Sequence, residues 1–189
     1  MAHSDNSVIT GKLSGSLGKE LVFRDWDGKT VVAKSPKKRT KPPSVDQLAF
    51  QRKFLIASKY ATAVKESPDQ SMAKAYERVL KPRQNIFSRA MEDFLTLPTV
   101  ESINAGSYKG LIGDKITIIA VDDYRVTNVR VEIIAANGII LETGNAVVNP
   151  SGIDYVYTAT QANNLPAGSK IKAFATDVPG NEGMLEVTV

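Results

Sequence analysis

Four aspartates and one basic run are the residues of this chain whose types could do chemistry. Asp114, Asp122, Asp123 and Asp177 carry the hard carboxylate oxygens that Ca²⁺ takes, and a fold gathering them at one end would offer a weak cation site. No Asp-x-Asp-x-Asp-Gly run accompanies them. The run 34–41, KSPKKRTK, sets Lys34, Lys37, Lys38, Arg39 and Lys41 together with no acid, and Arg52 and Lys53 follow. Such a set can neutralise phosphates or an acidic protein surface, and Trp26 nearby in the chain could stack on a base. Serine chemistry would require a histidine, and the single one is His3, in a polar tail. Cysteine is absent, which excludes disulfides and thiolate chemistry.

The stretch GKLSGSLGKE resembles a phosphate loop only superficially. Leu13 occupies the first glycine position of that motif, Glu20 follows Lys19, and a strand pattern comes next where a helix should open. Nothing fixes a carboxylate pair at hydrolytic spacing. The expectation is a protein that is not an enzyme and carries no cofactor.

The elements that position these residues divide by charge. Residues 1–98 hold 18 Lys and Arg against 10 Asp and Glu, net +8, whereas 99–189 hold 6 against 10, net −4. Opposite signs imply two modules, able to attract one another within a chain or head to tail between chains. A hydrophobic fraction of 42% suits a chain that buries a core, and no apolar run approaches the ~20 residues of a membrane span. The opening residues lack a secretion-signal pattern, so synthesis in the cytoplasm, with release as part of a particle, is the expectation.

The organising stretch is a hairpin. Leu21–Trp26 and Lys29–Lys34 are strand-like runs separated by Asp27-Gly28, a dipeptide that tolerates the positive φ angles of a two-residue turn. That turn pairs Trp26 with Lys29, Arg24 with Val31, Phe23 with Val32 and Val22 with Ala33. Leu21, Phe23 and Val32 then share one face, and Val22, Trp26 and Val31 the other. Apolar bulk on both faces of a lone hairpin demands a cover. Residues 1–19 read as an extended arm with Val8 and Ile9 as its apolar contacts and spaced glycines giving it reach, suited to adding a strand to a neighbour. The expected assembly contacts are Val8, Ile9, Leu21, Val22, Phe23, Trp26 and Val31, with the basic residues above as the electrostatic contact.

Helical patterns follow. Ser44 opens a capping box after two prolines, and Phe50, Phe54, Ala57, Ala61 and Val64 fall on one stripe. Leu48, Leu55, Ile56 and Ala63 make a second stripe nearly opposite, the mark of a helix that lies between layers or touches a partner. Ser67-Pro68 predicts a second helix to about Lys81, with Met72, Ala75, Tyr76, Val79 and Leu80 inward. A third is predicted over 84–95, with Ile86, Phe87, Ala90, Met91 and Phe94 on one side.

The chain thus divides into an arm (1–19), a basic hairpin-plus-helices module (20–97), a linker (98–104) and a β portion (105–189). In the last, strands are predicted near 115–121, 126–135, 139–142, 154–160, 170–176 and 185–189, separated by turn residues in the manner of an antiparallel β-sandwich. Its Ala175-x-Asp177-x-x-Gly180-Asn181 stretch, with Gly113-Asp114-Lys115 and the Asp122-Asp123-Tyr124 loop, resembles bacterial immunoglobulin-like domains. In the first half, Gly15 and Gly18, Leu21-Val22-Phe23-Arg24, Gly28 to Val32, and Pro43, Gln47 and Phe54 resemble uncharacterised proteins of Bacteroidota and prophage regions. The resemblances imply a multidomain α+β protein with an immunoglobulin-like sandwich. They point to a structural, particle-associated role (phage, phage-tail-like or filament) with itself or other protein subunits as partners. The rival partner is nucleic acid, bound through 34–53.

Overall fold

A computed structural model describes residues 2–4, 14–26, 28–37, 40–150 and 152–189. The chain is α+β, with antiparallel sheets and, among the described residues, three helices. It forms two compact units, 1–45 and 46–189.

The first unit is a four-stranded sheet in the order β1-β4-β3-β2: β1 Ala2–Ser4, β2 Gly15–Leu17, β3 Leu21–Trp26 and β4 Lys29–Lys34. The β3–β4 register is the one the two-residue turn dictates, with Trp26 opposite Lys29, Phe23 opposite Val32 and Leu21 opposite Lys34. Gly28 has φ +77°, a conformation that costs a side-chain-bearing residue, and its N–H donates to Asp25 Oδ1 at 2.9 Å. The arm needs correcting at both ends. Ala2–Ser4 pairs with β4 of its own chain, and Gly15–Leu17 pairs with β3. The alternation was too short at either place to show as strand. Val8 and Ile9 lie outside the described residues.

The second unit contains α1 (Val45–Glu66), α2 (Ser71–Glu77), α3 (Ile86–Leu95) and strands β5 Thr99–Asn104, β6 Lys115–Val121, β7 Asn128–Ile134, β8 Ile140–Asn145, β9 Val147–Val148, β10 Asp154–Thr158, β11 Lys170–Thr176 and β12 Glu182–Thr188. Two sheets, β5-β6-β10-β9 and β12-β11-β7-β8, contribute to one core. Every second residue of β6, β7 and β11 is buried there: Ile116, Ile118, Ala120; Val129, Val131, Ile133; Ile171, Ala173, Ala175. The expected linker over 98–104 is instead mostly β5, paired with β6. Only a glycine fits where this strand begins, because a Cβ on Gly183 would sit 1.8 Å from the Pro98 carbonyl oxygen.

The second helix starts later than Ser67-Pro68 predicts. Asp69 accepts from both Ser71 N–H and Ser71 Oγ, which holds 67–69 in a turn and moves the helix start to Ser71. Ala73 and Tyr76 are its buried residues, while Val79 is exposed. Asn85 and Ser88 form a reciprocal capping box for α3.

A buried polar hub joins the helices to the β portion. Arg89, on α3, is 1% exposed and donates to the Asp123 carboxylate at 2.5 Å and to the Asp123 carbonyl at 2.7 Å. It also meets Glu92 Oε2 at 3.0 Å. Lys81 bridges Glu92 and Asp123 from the outside, at 2.9 and 3.0 Å. Beside them Tyr76 donates to Asp93 Oδ2 at 2.6 Å, its hydroxyl lies 2.8 Å from that of Tyr60, and its ring packs 4.7 Å from Tyr124. Asp177 binds Asn181 through both carboxylate oxygens, and Asn181 Nδ2 reaches the Phe94 carbonyl at 3.2 Å. The turn that ends β11 is thereby stitched to the end of α3.

Burial raises the Asp93 carboxyl to about 6, and the nearby Asp122 and Asp177 carboxylates push the same way. Between its ordinary value of 3.8 and about 6, the folded chain holds a proton that the unfolded chain has released. This group's contribution to stability therefore falls as pH rises through that window, and the penalty persists above it. Asp93→Asn is expected to remove that slope and to stabilise the fold at neutral pH by about 3 kcal/mol. Melting curves of parent and variant across the window check it; curves that stay parallel would show that Asp93 does not titrate there.

Candidate assembly surface

Among residues 14–26, 28–37 and 40–45 of the first unit, Thr30 alone is buried. Leu17 (62% exposed) and Leu21 share the face of Phe23 and Val32, while Trp26 (66% exposed) shares the other with Val22 and Val31. Phe23, Val22, Val31 and Val32 are half-buried. The expected sheet contacts are thus at the surface, distributed over both faces. Leu17 was missed, since its three-residue strand gives no pattern of its own.

The second apolar surface is the beginning of α1. Residues 45–56 are exposed throughout, and Val45, Leu48, Phe50, Phe54, Leu55 and Ile56 are 45–82% exposed. Burial of the Phe50–Val64 stripe starts only at Ala57 and continues at Ala61 and Val64. Phe50 and Phe54 belong to the stripe but not to its buried part. Lys53 Nζ donates to the Leu95 carbonyl at 3.3 Å, so α3 ends beside Lys53 and covers the stripe no further.

The basic residues are placed as follows within each unit. Lys34 and Lys37 line, with Lys19, an open hollow of about 550 Å³ at one end of the hairpin. Trp26 lies at the other end, roughly 17 Å along the strand at 3.3 Å per residue, so the stacking residue and the tether are apart. Lys41 is exposed, and Lys38 and Arg39 lie outside the described residues. Arg52 is exposed on α1, and Lys53 is engaged at the end of α3.

Of the four aspartates Asp114 stands apart, whereas Asp122 adjoins Asp123, and Asp122 and Asp177 both lie near Asp93. Asp114 precedes β6 and Asp122 follows it, roughly 25 Å apart across the seven-residue strand. Each has a local task. Asp114 accepts from the N–H groups of Lys109 and Leu111, and Asp122 from those of Tyr124 and Arg125. Asp123 is held by Arg89, which keeps its carboxyl below the usual range, and Asp177 by Asn181. Among the described residues no group of three or more acidic or histidine side chains is placed to hold a metal.

No helix among the described residues is long and apolar enough to cross a membrane. No family model matches the chain, and no curated protein matches it. Among solved structures, an engineered protein from the Northeast Structural Genomics Consortium is similar over 53% of this chain and 21% of its own, at 14% identity and a TM-score of 0.31. A likeness that low carries no functional meaning.

Millimolar calcium is expected to leave the melting temperature unchanged. A rise with calcium concentration would show that the carboxylates bind it after all, because a ligand of the folded state stabilises by mass action.

Proposed function

We propose that the protein is a non-enzymatic structural component that assembles with copies of itself, alone or on a larger particle of phage, phage-tail-like or filament type. The observation that carries this reading is the first unit: one layer of sheet, apolar on both faces, with Thr30 its buried residue among 14–26, 28–37 and 40–45. A single layer of this kind is marginal in water, and both layers of a stable fold must bury a face against something. The two sheets of the second unit run in the orders β5-β6-β10-β9 and β12-β11-β7-β8, which supports reading them as an immunoglobulin-like sandwich serving as an outward spacer or display module.

The rival reading, nucleic-acid binding through 34–53, draws support from Lys19, Lys34 and Lys37 around one hollow. The separation of Trp26 from that hollow weighs against it.

Trp26→Ala is expected to weaken assembly at least tenfold, in line with the ~2 kcal/mol that a buried aromatic commonly contributes at an interface. Sedimentation of parent and variant over a concentration series checks this, with circular dichroism as the folding control. A parent that stays a single chain at the highest concentration would refute the reading.

A further inference from the structure

An asparagine carboxamide lies within reach of the next residue's backbone nitrogen, and closing that bond makes an unstrained five-membered ring. The attack is least hindered where the next residue carries no side chain. Of the asparagines in this chain, Asn137 alone is followed by glycine. The others precede residues with side chains or, at Asn149, a proline that has no amide hydrogen to lose.

The Asn137-Gly138 pair sits at the tip of the β7–β8 hairpin, where residues 136–140 are all exposed. Ala135 N–H donates to the Ile139 carbonyl and Gly138 N–H to the Ala135 carbonyl, both at 2.8 Å. Gly138 takes φ +85°. The loop is therefore a tight turn completed by a left-handed glycine. A Cβ placed on Gly138 would meet nothing within 4 Å, so no neighbouring element crowds the nitrogen or keeps water from it. The carboxamide is held in a reactive sense. Ile139 N–H donates to Asn137 Oδ1 at 3.1 Å. That donor draws electrons from Cγ and stands where negative charge gathers once Cγ is attacked.

We propose that Asn137 is a self-modification site, converting to isoaspartate and aspartate with no enzyme involved. The Gly138 nitrogen gives its proton to hydroxide and attacks Asn137 Cγ. The Cγ–Nδ2 bond breaks, the departing nitrogen takes a proton from water, and ammonia leaves a cyclic imide behind. Hydroxide is regenerated in that step. Water then opens the ring. Addition at the backbone carbonyl gives isoaspartate, with the chain now running through Cγ; addition at Cγ gives aspartate. One water is consumed and one ammonia released, and no oxidant or cofactor takes part.

The same turn sets the pace. Gly138 N–H must leave the Ala135 carbonyl before its nitrogen can attack, so the reaction passes through opening of the tip. One net hydrogen bond slows it, relative to the unfolded chain, by roughly three- to tenfold. The product adds a negative charge to residues 99–189, which already hold six basic against ten acidic side chains. Isoaspartate also adds one backbone atom to the loop that aligns β7 with β8. This inference uses the second unit alone and is independent of the assembly reading.

The test holds the full chain in warm, mildly alkaline buffer beside a sample unfolded in urea. Both are digested at intervals under mildly acidic conditions, where ring closure stops, and mapped by mass spectrometry. The peptide containing Asn137 is expected to gain the mass by which oxygen exceeds NH and to resolve into two species. One of them should accept a methyl group from an isoaspartyl methyltransferase. When the unfolded sample has converted fully, the folded one is expected to have converted in part, at Asn137 ahead of every other asparagine. Asn137→Gln, whose ring would need six members, is expected to lose the change, with circular dichroism as its folding control. A folded chain unmodified at Asn137 when the unfolded one is complete overturns the proposal. So does earlier conversion at another asparagine, the same mass gain in Asn137→Gln, or no conversion in either sample.

Discussion

The buried guanidinium of Arg89 is the interaction on which the second unit depends. It belongs to α3, yet its two firmest partners, the carboxylate and the carbonyl of Asp123, belong to the loop that follows β6. An isolated cation there would be prohibitive, so the helix and the loop must arrive together. Lys81 closes the pair from solvent, and Tyr124, next to Asp123, lays its ring on Tyr76. The second crossing point is Asn181, which satisfies the Phe94 carbonyl at the end of α3. Two polar contacts, well separated in sequence, thus fix the direction of α3. Through α3 they fix how much of α1 is covered.

That chain of dependence explains what the sequence could and could not disclose. The hairpin was legible because Asp27-Gly28 and its flanking runs specify a local structure without outside help, and the observed register follows from the turn. The alternation in Lys115–Val121 and Lys170–Thr176 was legible for the same reason. Arg89 and Asp93 were not, since a charged residue on a helix reads as solvated until the loop that neutralises it is known. The stripe from Phe50 to Val64 showed which side of α1 is apolar, but where its cover stops is decided by the end of α3 at Leu95, a tertiary fact. Thr99–Asn104 was hidden by brevity and by the proline before it, and its close approach to Gly183 involves residues far apart in the chain. Of the candidate surface, the two-faced hairpin and the second stripe of α1 were visible as patterns; their exposure was not.

Charge divides between the two halves of the chain, net +8 over 1–98 and −4 over 99–189, whereas exposed apolar side chains do not. The β portion has a closed core with alternating burial, and it also exposes large apolar side chains, among them Leu111, Ile112, Ile139, Val147 and Leu165, as do the first unit and the start of α1. A module with a complete core can stand in solvent; a single-layer sheet cannot.

The doubly apolar hairpin has a cost in fidelity. In most half-buried sheets a slip of one residue turns the apolar set toward water, and that penalty enforces the pairing. Here a slip would exchange Leu21, Phe23 and Val32 for Val22, Trp26 and Val31, one greasy surface for another. The faces therefore hardly discriminate between the right alignment and its neighbour. Discrimination falls to the corner, where Gly28 takes its positive φ and binds Asp25. A few atoms at a solvent-exposed bend thus decide which of two equally apolar sets of side chains the hairpin turns to each side.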